Sequence, residues 1–335
     1  MNAESNFKKK DFVPAGEVKW CAGCGDFSIL AQTQKVLAES GISPDQFAFI
    51  SGIGCSSRFP YYMNCYGLHT IHGRALAIAT GTKVANPDLN VWVAMGDGDG
   101  LAIGGNHFLH AVRRNVGIKC LMMDNRIYGL TKGQFSPTSF RGQKTKTAPM
   151  GTVENPIDPV ALALSLGGTF VARSVDRNIK HMAEMLRRMQ LHDGFGFLQV
   201  LQDCVIFNDG AFEPWAAKGR EANTIILTHG EKMIYGLENE KCIVRKGFSP
   251  EIALVSEVNE ADILVHDEFA TDVGLAGFLA QLNGNDGMPM AYGIFRQITS
   301  LTFEKEYARQ NAEAAANKAP DLQAMLASGE SWEIK

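Results

Sequence analysis

Short apolar runs alternate with helical patterns over the first two thirds of the chain. The runs are typical of strands buried on both faces, and they lie at 46–51, 90–95, 118–125, 169–173 and 195–204. Apolar residues at helical spacing predict helices between them, at 27–39, 73–85, 105–114, 159–166 and 176–191. Alternation of this kind predicts an α/β fold, a doubly wound parallel sheet with helices on both faces.

The pattern weakens beyond about residue 218. The segment 261–268 has the pattern of one more strand, and the last part of the chain is a charged, Ala-rich helix or tail. The polar residues 1–20 have no clear period and are expected to form an arm on another surface. We therefore divide the chain into this arm, a domain at 21–218, and a less regular C-terminal extension at 219–335 that packs on the core and on a partner subunit.

Composition excludes some classes of protein. Hydrophobic residues make up 45% and charged residues 20%, and the net charge of -4 gives no reason to expect binding to nucleic acid or to a membrane surface. No apolar run reaches the ~20 residues of a membrane span, and no apolar stretch follows the basic N-terminus as in a secretory signal. We expect a cytoplasmic protein, in which seven cysteines indicate metal or redox chemistry rather than disulfides.

A glycine-rich turn, Gly96-Asp97-Gly98-Asp99-Gly100, directly follows a buried strand. Parallel sheets bind ligands at the carboxyl ends of their strands, where glycines and a helix N-terminus favour a diphosphate. Asp97 offers an oxygen to Mg²⁺, and Asn125 offers a second one at the end of the next strand. The alternative is a tight turn without a ligand, but the Asp, the helix and the Asn together favour a metal–diphosphate site.

Four cysteines lie at predicted turns or strand ends: Cys21, Cys24, Cys55 and Cys204. Four such thiolates suit either tetrahedral zinc or a [4Fe–4S] cluster, and the residues alone do not decide between them. The other cysteines are a mid-strand core residue and two without a partner by spacing: Cys120, Cys65 and Cys242. Two cations in nearby turns, Arg58 and Lys132, are either solvated charges or groups that face the carboxylates of a substrate.

At this point the chain resembles one family. The motifs CAGCGDF, GIGCSSRFPYY, HTIHGRALAIATG, GDGDGLAIGGNHFLHAVRRN, DNRIYGLTKGQFSPTS and DCVIFN are similar to those of 2-oxoacid:ferredoxin oxidoreductase β subunits, most of all the 2-oxoglutarate enzymes. The similarity runs from about 18 to 215, and the later GIFRQITSLTFE is similar more loosely. One departure is Asp124, which stands where Asn is more usual.

The resemblance implies a thiamine-diphosphate-binding fold with three cofactors. A [4Fe–4S] cluster would be ligated by Cys21, Cys24, Cys55 and Cys204. Magnesium would be held by Asp97, Asn125 and the main-chain carbonyl of Ile127. Thiamine diphosphate would be surrounded by Ile53, Gly54, Cys55, Ser56, His72, Gly98, Asp99, Gly129 and Leu130. A histidine before a helix is more often a surface or capping residue, but the HGR motif favours a cofactor contact for His72.

The resemblance also implies an activity and partners. The chain would oxidatively decarboxylate 2-oxoglutarate with coenzyme A to succinyl-CoA, CO₂ and reduced ferredoxin, or run the reverse carboxylation. A separate α subunit would carry the pyrimidine-binding domain, in a heterodimer that pairs into a dimer of heterodimers. Lys132, and secondarily Arg58, would bind the second carboxylate of 2-oxoglutarate, unless Lys132 is solvated or contacts coenzyme A.

Three alternatives remain. The first is a pyruvate-specific or broad-specificity member of the same family. The second is a non-oxidative thiamine-dependent decarboxylase or synthase, which needs no cysteine quartet. The third is a zinc-stabilised regulatory or scaffold protein that keeps only the fold. Iron and bound thiamine diphosphate distinguish the last two from the family.

Overall fold

The computed structural model describes residues 7–317, 321–330, 332 and 334. The helices of this part of the chain are α1 (Asp26–Glu39), α2 (Ala75–Ala85), α3 (Gly105–Arg113), α4 (Pro159–Ser165), α5 (Ile179–Leu191), α6 (Glu213–Ala216), α7 (Gly274–Leu279), α8 (Phe303–Asn317) and α9 (Leu322–Leu326). The strands are β1 (Phe47–Ser51), β2 (Tyr66–His69), β3 (Asn90–Gly96), β4 (Ile118–Asp124), β5 (Phe170–Val175), β6 (Gly196–Leu201), β7 (Thr224–Leu227), β8 (Ile234–Tyr235), β9 (Lys241–Lys246), β10 (Ser249–Leu254) and β11 (Met290–Gln297). None of the described helices is long and apolar enough to cross a bilayer.

Eight strands form one sheet in the order β2-β1-β3-β4-β6-β5-β11-β7. The strands from β2 to β5 pair in parallel, whereas β11 runs antiparallel to β5 and β7 runs parallel to β11. A second, three-stranded antiparallel sheet has the order β10-β9-β8. The prediction of an α/β fold with a largely parallel sheet is confirmed.

Two apolar layers cover the two faces of the large sheet, because side chains along a strand point alternately to opposite faces. In β3, Val91, Val93 and Met95 belong to one layer, whereas Trp92 and Ala94 belong to the other. Buried side chains of α2, α3, α4 and α7 complete the first layer, and those of α1 and α5 complete the second. The helices therefore lie on both faces, as the sequence predicts.

The C-terminal part of the chain differs in detail from the sequence prediction. The predicted strand at 261–268 is wrong, because this segment makes only isolated bridges at Ile263 and Val265 around a very short apolar run. The prediction also lacks β11, whose apolar run is interrupted by Gly293, with φ of +129°. Since β7 and β11 both join the large sheet, this sheet continues beyond residue 218.

Part of the predicted N-terminal arm packs on the predicted domain. Phe12 and Trp20, from the predicted arm, are buried in the second apolar layer, and the Phe12 ring lies 5.7 Å from that of Phe47. Residues 1–6 of the predicted arm lie outside the described residues. The strand β6 ends at Leu201, so that Cys204 lies beyond the edge of the sheet rather than within a strand.

Candidate functional site

The carboxyl ends of β1, β3, β4 and β6 lie along one edge of the sheet, because these strands pair in parallel. Two neighbouring cavities open there, which we name the strand-end cavity and the cysteine cavity. Their volumes are about 550 and 990 Å³, open solvent included. This edge is where open parallel sheets bind their ligands.

The strand-end cavity brings together every residue that the resemblance assigns to thiamine diphosphate or magnesium. Its wall consists of Ile53, Gly54, Cys55, Ser56, His72, Gly96, Asp97, Gly98, Asp99, Met123, Asn125, Ile127, Tyr128, Gly129, Leu130, Thr131 and Gln202. No Lys or Arg of the described residues lines it, whereas two aspartates do. A diphosphate bound here would therefore need a metal ion to offset its charge.

Asp97 is a buried carboxylate that has no cationic partner within hydrogen-bonding distance among the described residues. Its Oδ2 accepts hydrogen bonds from the hydroxyls of Ser136 and Thr138, the latter at 2.6 Å. Thr138 Oγ1 also lies 2.9 Å from Asp124 Oδ1, but one hydroxyl hydrogen cannot serve both carboxylates. Burial, together with the nearby charge of Asp124, raises the pKa of Asp97 to about 7. A divalent cation at Asp97 would offset this cost.

The turn after β4 holds two further oxygen donors beside Asp97. The Asn125 side chain is fixed on both sides, since its Nδ2 donates to Gln202 Oε1 at 2.9 Å and its Oδ1 accepts from the Ile127 backbone N–H at 3.2 Å. Arg126, between them, has the left-handed φ of +56°. A carboxylate, an amide and a main-chain carbonyl form a hard oxygen donor set that fits Mg²⁺.

Asp99 joins three loops of the cavity wall. Its Oδ1 accepts hydrogen bonds from the backbone N–H groups of Ile53 and Gly73, at 3.0 and 2.8 Å, and lies 2.6 Å from His72 Nδ1. Its Oδ2 is buried and has no hydrogen-bond partner in the described part of the chain. His72 is therefore held on the cavity wall by a buried carboxylate, rather than standing free on the surface.

At two positions in this wall, neighbouring atoms lie too close to the backbone for any residue except glycine. A Cβ atom on Gly98 would lie 2.3 Å from the ring of Tyr128, whose hydroxyl donates to the Gly98 carbonyl at 3.0 Å. A Cβ atom on Gly52 would lie 2.0 Å from Asp99 Oδ2. A side chain at either position would displace groups that line the cavity.

The cysteine cavity contains all four cysteines that the resemblance assigns to a cluster. Its wall consists of Lys19, Trp20, Cys21, Cys24, Cys55, Arg58, Asn125, Gly129, Leu130, Lys132, Gln202, Cys204, Val205, Ile206 and Phe207. A Cβ atom on Gly129 would lie 3.5 Å from the sulfur of Cys204 and 3.7 Å from that of Cys55. Because Cys55, Gly129 and Gln202 line both cavities, the two cavities share a wall.

Two of the four cysteine thiols, those of Cys24 and Cys55, are partly buried near an acidic group. Burial, and then the nearby Asp26 carboxylate, raise the pKa of Cys55 to about 11 and that of Cys24 well above its usual range. Positively charged iron or zinc would favour the thiolates instead. Among the described residues, no three His, Cys, Asp or Glu side chains are grouped as ligands of one metal ion.

The two candidate substrate-binding cations lie in the wall of the cysteine cavity and not in that of the strand-end cavity. Arg58 follows the turn that carries Cys55, and Lys132 lies in the long loop after β4. Lys132 has a φ of +75°, which is unfavourable for a residue with a side chain. Such strain is commonly found at functional sites.

Several residues of the site have no assigned role in the sequence analysis. Tyr128, Ser136 and Thr138 fall within the quoted motif DNRIYGLTKGQFSPTS, but a motif does not reveal hydrogen bonds across a long loop. Gln202 has no sequence signal, yet its amide bonds Asn125 and its Nε2 lies 3.4 Å from the sulfur of Cys24. Its position becomes evident only once β4 and β6 are known to be neighbours.

Comparisons with known proteins show which family the chain is similar to. Residues 52–200 match the family described as thiamine pyrophosphate enzyme, C-terminal TPP binding domain. The chain is 46% identical, over 98% of its length and 88% of the relative's, to the 2-oxoglutarate oxidoreductase subunit KorB of Mycobacterium tuberculosis. It is 50% identical over 190 residues, 57% of this chain and 60% of the relative, to the β subunit of an Aeropyrum pernix 2-oxoacid:ferredoxin oxidoreductase.

A solved structure is similar over almost the whole chain. It is the 2-oxoglutarate:ferredoxin oxidoreductase from Magnetococcus marinus with 2-oxoglutarate, coenzyme A and succinyl-CoA bound. The TM-score is 0.77, the sequence identity is 34%, and the similarity covers 97% of each chain.

Proposed function

This chain belongs to the β subunits of the 2-oxoacid:ferredoxin oxidoreductases, and we propose that it oxidatively decarboxylates 2-oxoglutarate with coenzyme A and passes the electrons through its own iron–sulfur cluster to ferredoxin. It is an oxidoreductase subunit of the 2-oxoglutarate type, as its full-length relative and its structural neighbour are named. The observation that carries the proposal is the shared wall of the two cavities. This wall would hold an organic cofactor and a redox centre next to each other.

The strand-end cavity would hold Mg²⁺ and thiamine diphosphate. Bound there, thiamine would supply a nucleophilic carbon and an electron sink for the loss of CO₂. Asp97, Asn125 and the carbonyl of Ile127 would hold the metal, and Asp99 would keep the surrounding loops in place. Support comes from the two buried aspartates in a wall without Lys or Arg, because such a wall suits a diphosphate only together with a cation.

The cysteine cavity would hold the [4Fe–4S] cluster. Four thiolates suit either zinc or a [4Fe–4S] cluster, and only the cluster can accept electrons. The proposal is supported by the four cysteines in the wall of one cavity that adjoins the strand-end cavity, where an electron acceptor is needed. A cluster and free thiols also suit a reducing compartment, so we propose a cytoplasmic location.

The partner would be an α subunit that carries the pyrimidine-binding domain, in a dimer of heterodimers. Beside the strand-end cavity the edge strand β2 is exposed along its whole length. Tyr66, Leu68, Ile71 and Ile103 form an exposed apolar surface there. An open strand edge with apolar side chains is typical of a surface that another protein covers.

The choice of 2-oxoglutarate would depend on Lys132. Pyruvate has one carboxylate, whereas 2-oxoglutarate has a second one several bonds away, and that carboxylate needs a partner charge in a desolvated site. Lys132 and Arg58 line the cysteine cavity next to the wall shared with the strand-end cavity. Either cation could form an ion pair with the second carboxylate. The strained backbone of Lys132 determines the position from which its side chain extends.

Steady-state kinetics of the co-expressed complex test this substrate choice. With coenzyme A and an electron acceptor, Lys132→Ala should lower kcat/KM for 2-oxoglutarate by the equivalent of about 2–4 kcal/mol, and that for pyruvate much less. Lys144→Ala, which removes an exposed lysine of the same loop, should change neither value. Equal losses on both substrates would remove Lys132 from substrate selection and favour a broad-specificity enzyme.

A further inference from the structure

A third cavity, which we name the arginine cavity, lies on the far side of the turn after β4. Its volume is about 450 Å³, open solvent included, and its wall includes Arg126, Arg173, Asp158 and Asn283. It contains none of the residues assigned above to thiamine, magnesium or the cluster. Thr138 separates it from the strand-end cavity, since this residue lines the arginine cavity and bonds Asp97.

Arg126 is a buried guanidinium with an unpaired donor. The side chain is only 8% exposed, and its central carbon lies 3.9 Å from the centroid of the Phe140 ring and 4.9 Å from that of Phe212. Stacking covers the faces of the guanidinium, so its N–H groups can be satisfied only along its edge. Nη1 is buried and has no hydrogen-bond partner in the described ranges. An unpaired donor on a buried charged group is unfavourable, and a bound acceptor would remove this cost.

The other charges of the cavity already have partners. Arg173 Nη2 bonds both carboxylate oxygens of Asp158, at 3.1 and 3.2 Å. Asp124 accepts from Thr138 at 2.9 Å and from Gln199 at 2.6 Å. Among the described charged groups of this wall, Arg126 is therefore the one that still has an unpaired donor. Two arginines and two aspartates cancel in charge, so an anion should bind here with modest affinity.

We propose that the arginine cavity binds a small oxyanion, a carboxylate or a phosphate, along the edge of the Arg126 guanidinium. The planar donors of arginine match the paired oxygens of such anions. The site is distinct from that of the substrate, because Arg126 lines the arginine cavity, whereas Asn125 and Ile127 on either side of it line the strand-end cavity. An anion at Arg126 would hold the turn that carries two of the proposed magnesium ligands.

Fluorescence of Trp215 offers a direct test, since its ring lies 5.7 Å from the guanidinium carbon of Arg126. The co-expressed complex is titrated with sodium phosphate or sodium acetate at an ionic strength held constant with sodium chloride. We expect a saturable change with a millimolar midpoint. Trp215→Phe should remove the optical change while calorimetry still detects binding. Arg126→Gln should weaken binding at least about tenfold, and Arg141→Gln, an exposed residue of the same loop, should leave it unchanged.

The anion that binds more tightly identifies the natural class, carboxylate or phosphate. A midpoint that is the same in Arg126→Gln and in the unmodified complex would overturn the proposal. Should Arg126→Gln fail to fold, the unmodified complex still decides the question. The absence of a saturable response to both anions, by fluorescence and by calorimetry, would mean that the cavity holds only water. None of these outcomes depends on enzyme activity, so the proposal fails or stands separately from the proposed function.

Discussion

Two networks of buried polar groups, one at each end of the parallel strands, differ in how completely their hydrogen bonds are satisfied. At the amino ends of β4, β5 and β6, the Thr169 hydroxyl lies 2.7 Å from Asn115 Oδ1 and 2.9 Å from His192 Nε2. The amide of Asn115 donates to two backbone carbonyls, and the ammonium of Lys119 donates to two others. Every one of these side chains has protein partners, which is the usual condition of buried polar groups.

At the carboxyl ends, some buried polar side chains lack hydrogen-bond partners among the described residues. Asp97 and Asp124 share a single hydroxyl hydrogen of Thr138, and Asp99 Oδ2 and Arg126 Nη1 have no partner among the described residues. Such groups cost stability unless something binds them. A satisfied buried network therefore serves the fold, whereas an unsatisfied one indicates where ligands complete the structure.

The largest effect should come from removing one cysteine of the cysteine cavity. Cys204→Ser should lose the cluster, because the hydroxyl of serine is a poor substitute for a thiolate ligand of iron. Iron analysis of the anaerobically purified complex should fall from about four irons per β chain to none. Cys65→Ser, away from the cavity, should retain the iron. Zinc in place of iron in the unmodified complex would contradict the cluster.

A matched pair of threonine substitutions compares the two ends directly. Thr138→Val, at the carboxyl ends, removes the hydroxyl that orients Asp97, and it should weaken binding of Mg²⁺ and thiamine diphosphate by roughly 10–100-fold. Calorimetric titration of the cofactor-free complex measures this change. An unchanged affinity would mean that Asp97 does not depend on Thr138 for its position.

Thr169→Val, at the amino ends, should act on stability alone. It leaves Asn115 Oδ1 with one donor fewer and His192 without its hydroxyl partner, at a cost of roughly 1–3 kcal/mol. Thermal unfolding of the complex should shift to lower temperature, and cofactor affinity should stay as it was. A loss of cofactor affinity as large as that of Thr138→Val would remove the distinction between the two ends.

The smallest effect concerns Lys119. Burial, and then the nearby Lys83, lower the pKa of Lys119 to about 7, below its ordinary value of about 10.4. Between these values the unfolded chain binds more protons than the folded one, so this group makes stability rise with pH across that window. From pH 7 to 8 the unmodified protein should gain roughly 1 kcal/mol relative to Lys119→Met, which lacks the group. Denaturant titrations at both pH values measure this difference. If burial did not lower the pKa of Lys119, the stability of the unmodified protein and that of Lys119→Met would change equally with pH.

Sequence alone predicts most strands of the parallel part of the sheet, though not the edge strand β2, and many of the residues that line the two cavities. Strands such as β3 and β4 are continuous apolar runs, and glycine, aspartate and cysteine turns follow them, so the local pattern carries the information. The local pattern does not predict β11, because Gly293 interrupts the apolar run of this strand and because the pairing of β11 with β5 joins distant parts of the chain. Gln202 and Thr138 are missed for the same reason, since their roles arise from contacts between separate elements.

Asp97 is buried and hydrogen-bonded only to neutral donors among the described residues, and we infer that a cation bound together with the diphosphate offsets its charge. Burial raises the pKa of Asp97 to about 7. Above that pH the folded protein without cofactor therefore bears an unfavourable buried charge. Below about pH 4 this cost disappears, because the carboxyl is protonated in both the folded and the unfolded state. Asp97→Asn removes this charge, and the hydroxyls of Ser136 and Thr138 can accept from the new amide.

Thermal unfolding of the co-expressed complex at pH 8, with and without Mg²⁺ and thiamine diphosphate, tests this claim. We expect Asp97→Asn to raise the unfolding temperature of the cofactor-free complex and to abolish the further rise that the cofactors give the unmodified complex. A cofactor-induced rise as large in Asp97→Asn as in the unmodified complex would contradict the claim and place the metal site elsewhere.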